Sequence, residues 1–451
     1  MAELTIGTGK VDITPPLAIP YLSYYPRQTP FEGIHDRLYA RAMVFDNGGE
    51  PVAIISADSL GYSRDVLGPG RDFVAEVRER VERLAGVPAE RVMLATTHAH
   101  STPQTTHIAS LLDFAAAKPW LERLSDQLAA SVVVALATRR PATLRAGVGE
   151  AAGIAWCRRI VGRDGKLYRL PHRPPEDQIL REPRDDRVGV VVAEGDGWRG
   201  VLLNFTCHPT TVQVQPLVSA DYPGVATDLV ERVAPATVCL FLQGATGNVG
   251  PVRNTSTFAD VEIYGKMLAG EAVKQVARLT AADAAAMSTT LAVASATLTL
   301  PVRDLPPAEP FARAKAEVEA RIASATSEVE RAAAASEHWR PREALRLIAL
   351  GSEPIQCDVQ VVRVGEALIV GVDGELFCEY GLELKAASPT PYTFVSAYTN
   401  GYVGYIITPE AVEEGGYEPS LGPWTRLRPS AGAEIVATAR RVMAEVWGRS
   451  A

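Results

Sequence analysis

"RVMLATTHAHSTPQTTH", residues 91–107, begins as an unbroken apolar run and ends with three of the chain's seven histidines. Apolar residues on consecutive positions, rather than alternating ones, mark a strand covered on both faces, as in a layered α/β protein. His98 and His100 follow that run as an H-x-H pair. With a side-chain period of two, both imidazoles point to one side if the strand continues that far. Such a pair offers two metal ligands, or one ligand and one proton carrier. The alternative is a pair of loop histidines satisfied by the hydroxyls of Thr96, Thr97, Ser101 and Thr102. His107, beyond the "STPQTT" loop, reads as a surface or supporting residue.

Working outward, seven more runs carry the same pattern: 42–46, 51–58, 187–194, 200–208, 237–244, 367–374 and 392–399. Between them lie the helical periodicities of 71–86, 222–234 and 259–279, and a final one at 432–448. The Ala/Glu/Arg-rich stretch 307–339 has few large apolar residues. It reads as one or two exposed helices, a lid or buttress inserted at 307–345 rather than part of the core. The expected fold is α/β: one layered mixed-sheet domain over 1–451, with flanking helices and an active site at strand ends. Those ends carry Asp58, His98, His208, Gln243 and Glu375, and ligands of open α/β sheets bind where such ends converge. No repeat of solenoid length is visible.

Composition excludes several functions. A net charge of -8 argues against a nucleic-acid or anionic-membrane partner, since either calls for a basic face. No run of eighteen apolar residues offers a transmembrane segment, and the N-terminus lacks the pattern of a secretory signal. The five cysteines are scattered, without a CxxC pair, which argues against thiolate zinc and fits a reducing, cytoplasmic setting. There is no phosphate loop, no GxGxxG and no GxSxG nucleophile elbow. "QGATGNVGP" (243–251) instead suggests close backbone approach to a ligand.

Three further places could carry chemistry. His208, in "NFTCHPTT", is a structural hydrogen-bonder or a metal ligand, imidazole being the commonest protein donor. Glu375, in "GVDGELFCEY", is a helix-start glutamate favoured by the dipole or an oxygen ligand. The loop-like segment 397–420 carries Tyr398, Tyr402, Tyr405 and Tyr417; these are packing anchors, or phenols that ligate a metal or donate to a developing oxyanion.

Read together and in order, "IGTGKVDITPP", residues 33–61, "TTHAHSTP", "NFTCHPTT", residues 219–231, "QGATGNVGP", "DGELFCEYGLELK" and the tyrosine segment resemble the catalytic domain of the neutral/alkaline non-lysosomal ceramidase family. The resemblance implies a single Zn2+ held by His98, His208, Glu375 and Tyr405. It implies His100 as the catalytic histidine beside the metal, Tyr417 as the tyrosine facing the substrate carbonyl, and Arg158 as a substrate contact, with Cys157 before it where the family has Asn. Arg159, Gly250 and His35 are the further substrate-binding candidates. Gly250 stands where some members carry a serine, so a serine nucleophile has no support. No C-terminal immunoglobulin-like domain, which the secreted members carry, is expected.

The implied activity is zinc-dependent hydrolysis of a C–N bond, with an N-acyl amide on a small-molecule or lipid-like substrate expected and ceramide itself not. The alternatives are an ester, lactone or glycosidic bond at the same metal, because fold does not fix substrate, or a zinc-keeping binding protein without turnover.

Overall fold

The computed structural model describes residues 3–23, 29–169, 172–233, 237–253 and 256–449. Its chain follows one plan three times. The first unit runs β1 (Thr5–Asp12), β2 (Tyr39–Asp46), β3 (Val52–Ala57), α1 (Phe73–Ala85), β4 (Val92–Thr96) and α2 (Ala117–Ala137). The second runs β5 (Thr143–Glu150), β6 (Arg187–Gly195), β7 (Trp198–Phe205), α3 (Asp221–Val233), β8 (Thr237–Gln243) and α4 (Phe258–Leu279). The third begins with β9 (Leu291–Leu300), followed by the helical hairpin α5 (Glu309–Ser324) and α6 (Glu328–Ala349). It continues with β10 (Ile355–Val364), β11 (Ala367–Val372), α7 (Cys378–Ala386), β12 (Thr393–Ser396) and α8 (Ala431–Gly448).

In every unit the first three strands form an antiparallel meander, and the fourth returns through a helix to lie parallel to the third. The sheets are therefore mixed, with the parallel pair at one edge. A parallel return needs a crossover of a dozen residues or more, which the intervening helix supplies.

One face of each sheet points into a shared core. Met43, Phe45 and Ile54 of the first sheet meet Leu202, Leu240 and Leu242 of the second and Val362, Ile369 and Phe394 of the third. The opposite faces are covered by the unit's own helices: α1 and α2, then α3 and α4, then α7 and α8. Strands buried on both sides have no solvent face on which to alternate, hence the unbroken apolar runs.

The first strand of each unit is built differently. A Cβ at Gly7 would lie 1.8 Å from the carbonyl oxygen of Ala135, and one at Gly9 would lie 2.1 Å from that of Ser131. The glycines of β1 thus admit the backbone of α2 against the strand. In β5 a Cβ at Gly149 would lie 1.8 Å from the Glu271 carboxylate of α4, and β9 uses Ala292, Ala294 and Ala296 in the corresponding strand.

The helices expected at 71–86, 259–279 and 432–448 are α1, α4 and α8; that expected at 222–234 is α3, with Ala234 outside the described residues. α1 starts on an Asp72 cap and stops at Gly86 in the left-handed region. The 307–345 segment is the α5–α6 hairpin, α6 opening on a Ser327/Glu330 capping box. No described helix is long and apolar enough to cross a membrane.

Candidate active site

The donor residues come from equivalent places in the three units. Three residues past the end of each third strand stand Leu60, His208 and Glu375. Two residues past the first and third units' fourth strands stand His98 and Tyr398, both in the left-handed backbone region at φ 62° and 54°. That conformation is uncommon for non-glycine residues and costs of order 1–3 kcal/mol. Here it turns two rings face to face: His98 stacks on Tyr398 at 3.7 Å with 13° between planes.

Three imidazoles converge from these loops. His98 Nε2 lies 2.9 Å from His208 Nε2 and 3.2 Å from His100 Nε2, and the last two are 3.0 Å apart. His98 Nδ1 bonds the Leu60 carbonyl and His208 Nδ1 bonds the Thr246 carbonyl at 3.2 Å. A carbonyl only accepts, so each Nδ1 carries the proton and each Nε2 presents a lone pair. Burial holds His98 and His208 well below the usual imidazole range and His100 at about 3, so the rings are neutral at pH 7. Two buried lone pairs 2.9 Å apart repel unless a cation lies between them. Nitrogens at the roughly 2.0–2.1 Å bond length of zinc in a tetrahedron stand about 3.3–3.4 Å apart, close to the spacing found. These three histidines form a cluster able to hold a metal ion.

Glu375 completes the arrangement. Its Oε2 lies 3.8 Å from His98 Nε2 and 3.9 Å from His208 Nε2, is buried, and has no hydrogen-bond partner. Its Oε1 accepts from the Tyr402 hydroxyl. Burial pushes the carboxyl up to about 7, against the opposing effect of that hydrogen bond and of Arg158. Taking a carboxyl out of water disfavours its charged form. A two-residue parallel ladder sets Glu375 beside Tyr405.

Arg158 reaches the site from the second unit. Residues 155–157 pair with 249–251, placing Trp156 opposite Gly250. The Arg158 guanidinium donates to the Gly247 carbonyl and to Tyr405 Oη at 3.3 Å, and pairs with Glu418 at 3.4 Å. Of the glycines in "QGATGNVGP", Gly247 meets the protein itself, where a Cβ would lie 2.4 Å from the Glu375 carbonyl oxygen, whereas Gly250 lines the cavity.

Above the cluster opens a cavity of about 870 Å³. His98, His100, His208, Glu375, Tyr405, Tyr417, Arg158 and Gly250 all line it. Part of its wall comes from the connection between the first two strands of each unit: Leu22 and Ser23, then Trp156 and Arg158, then Trp339, Arg342, Glu343 and Arg346 of α6. The inserted hairpin is thus one wall of the site. Trp339 stacks on Trp424 at 5.3 Å and on Tyr417 at 6.0 Å, fixing the rim on which Tyr417 stands.

Two candidates stand apart from the cavity. Arg159 lies behind its wall, 2% exposed, with Nη1 donating to Gly415 O (2.7 Å) and Glu418 (3.0 Å), and Nη2 to Ala411 O and Glu414 (both 3.1 Å). Its donors are occupied by the loop that carries Tyr417 rather than presented to a substrate. His35 stacks on Phe258 at 3.6 Å and bonds Asp36, outside the lining. His107 is a supporting residue, bonding Ser63 Oγ and the Pro423 carbonyl. Sequence reasoning assigned no role to Glu418 or the α6 residues, nor a particular one to Tyr398 or Tyr402. Glu418 lies within the tyrosine segment and the α6 residues within the inserted helices, but neither place carried a motif that named a role for them.

A sequence profile described as neutral/alkaline non-lysosomal ceramidase, N-terminal, matches residues 4–260, more than half of the chain. The neutral ceramidases of Drosophila pseudoobscura pseudoobscura and Drosophila melanogaster are 34% and 33% identical to it over 106 residues, which are 23% of this chain and 14% of each relative. The chain therefore matches only a small part of the length of these relatives. The crystal structure of neutral ceramidase from Pseudomonas aeruginosa superposes with a TM-score of 0.70 at 19% identity, covering 99% of this chain and 75% of that one. A structure described as ceramidase complexed with C2 gives 0.72 at 18%, over 99% and 76%. At these identities the likeness is one of fold.

Proposed function

Since the chain belongs to the neutral/alkaline non-lysosomal ceramidase family, we propose that it is a zinc-dependent hydrolase that cleaves a C–N bond, with an N-acyl amide as substrate. The observation that carries this reading is the pair of neutral His98 and His208 Nε2 atoms 2.9 Å apart beside the unpartnered Oε2 of Glu375, with His100 Nε2 3.0–3.2 Å from both. Nitrogen and carboxylate donors without thiolate suit zinc at a catalytic site. His98, His208, Glu375 and Tyr405 hold the ion. When bound, zinc supplies Lewis acidity, polarising a carbonyl and making water reactive near neutral pH.

The remaining residues do the rest. His100, held neutral by burial and by the nearby Arg158 charge, accepts the proton of the attacking water and returns it to the departing amine. Tyr417 donates to the oxygen that gains charge, a contribution typically worth about 10²–10³ in rate. Arg158 holds a polar part of the substrate, fixed for that task by Gly247 and Glu418. Leu22, Ile108 and Phe114, apolar residues of the cavity lining, take the acyl group.

The test is metal content by plasma emission on wild type and His98→Ala, with a hydrolysis screen over N-acyl amides, esters, lactones and glycosides. One zinc per chain, lost in the variant, with amide turnover abolished by chelation and restored by zinc, is the expected result. A folded, metal-free wild type overturns the metal reading, and zinc with turnover of another bond overturns the amide.

A further inference from the structure

Glu375 is buried with two unequal oxygens. One, Oε1, accepts from Tyr402; the other, Oε2, has no hydrogen-bond partner and lies 3.8–3.9 Å from two of the three clustered ring nitrogens. A carboxylate rotates about its last bond and can offer a cation one oxygen or both. In this site one oxygen, Oε1, is held by the Tyr402 phenol. We propose that Tyr402 is a positioning residue: by holding Oε1 of Glu375 it turns Oε2 alone toward the histidine cluster as a single-oxygen donor. The inference rests on the metal reading above.

Tyr402 is itself held in place. Its ring stands 5.5 Å from that of His107, which is fixed by Ser63 and the Pro423 carbonyl. It lies on the same side as the His98 ring, 6.5 Å away with 19° between planes. Its backbone comes from the loop that pairs with Glu375, where Val403 N donates to the Asp373 carbonyl and Glu375 N to the Gly404 carbonyl. Hydroxyl and carboxylate are thus fixed relative to each other by main-chain bonds. Partners behind metal ligands typically govern affinity by about 10–100-fold.

The test is Tyr402→Phe, which keeps the ring and removes only the hydroxyl. Zinc affinity is read by competition with a chromogenic chelator, beside the melting temperature of the metal-free protein and with Tyr264→Phe as a remote buried tyrosine. The expected result is an affinity 10–100-fold weaker in Tyr402→Phe, unchanged in Tyr264→Phe, with the metal-free forms melting within a few degrees of wild type. Equal affinities of wild type and Tyr402→Phe overturn the proposal and leave the metal reading standing. A wild type that takes up no zinc overturns both. If Tyr402→Phe melts far lower without metal, the hydroxyl serves the fold rather than the ligand, and the proposal falls.

Discussion

Replacing Arg159 by methionine separates two roles for this side chain, substrate contact and anchorage of the loop that carries Tyr417. Its guanidinium meets two carboxylates and two carbonyls, all between Ala411 and Glu418. Breaking a buried ion pair from one side costs about 3–5 kcal/mol because the other charge is stranded. Here neither acid is fully stranded: Glu418 keeps Arg158 at 3.4 Å and Glu414 keeps Arg181. The cost therefore sits at the low end, about 3 kcal/mol, with about 1 more for the two carbonyls left to find water. At roughly 1 °C per kcal/mol for a chain of 451 residues, Tm falls by about 4 °C. Activity falls further, because a loop without its anchor no longer aims Tyr417, and the limit is the 10²–10³ typical of one oxyanion donor.

The assay is a double-mutant cycle on kcat/KM with Tyr417→Phe, with zinc content as control. If Arg159 acts through Tyr417, the double variant is no slower than Tyr417→Phe within about threefold, since groups that act as a unit are not additive. Fully additive losses, or an effect confined to KM with Tm unchanged, refute anchorage and return Arg159 to the substrate.

Three other outcomes are expected. Gly9→Ala sets a methyl 2.1 Å from the Ser131 carbonyl oxygen and lowers stability by at least the roughly 1–3 kcal/mol of an overpacked core, read by chemical denaturation; a neutral result means α2 can slide. Trp339→Ala removes the α6 ring from Tyr417 and Trp424 and raises the preference for bulky over small acyl groups about tenfold, the scale of a pocket change worth 1–3 kcal/mol; a constant ratio of kcat/KM values across an acyl series removes α6 from selection. His107 is lowered to about 4 by burial, so the folded state disfavours its protonation, and stability is lost as pH falls from 6.5 toward 4. Between pH 6.5 and 4.5 wild type loses about 2 kcal/mol more than His107→Gln, measured by urea unfolding at each pH; parallel curves contradict it.

The parts legible in the sequence were those buried on both sides. The eight apolar runs correspond to β2, β3, β4, β6, β7, β8, β11 and β12, and His98, His208 and Glu375 stood out because each follows such a run. The four strands that were not read, β1, β5, β9 and β10, lie on the outer side of each sheet or mix polar with apolar positions. Gly7 and Gly9 look like loop residues until the helix against them is known. α2 was missed as well; its first turn carries no capping side chain. The triple plan left no trace in residue identity: the three equivalent positions hold Leu60, His208 and Glu375. Arg159 was indistinguishable from its neighbour Arg158 in sequence, because which of two adjacent arginines faces a cavity depends on a strand pairing fixed ninety residues away.

The triple plan has a consequence for how the protein comes to be active. The cluster takes His98 and His100 from the first unit, His208 from the second, and Glu375 and Tyr405 from the third. No unit supplies all of these residues by itself, so during synthesis a chain that has made two units would hold an incomplete grip on the proposed ion. Whatever binds only the finished arrangement adds RT ln(1 + [L]/Kd) to its stability, about 4 kcal/mol at a thousandfold excess over Kd. That increment joins three sheets that otherwise meet through a shared apolar core and a few buried hydrogen bonds, such as Ser56 to the Phe241 carbonyl and Asn204 to the Val395 carbonyl. The ion would then act as a clasp that proofreads assembly: a misdocked third unit would forfeit both the bond to metal and the chemistry, so catalytic competence would report that the molecule is whole.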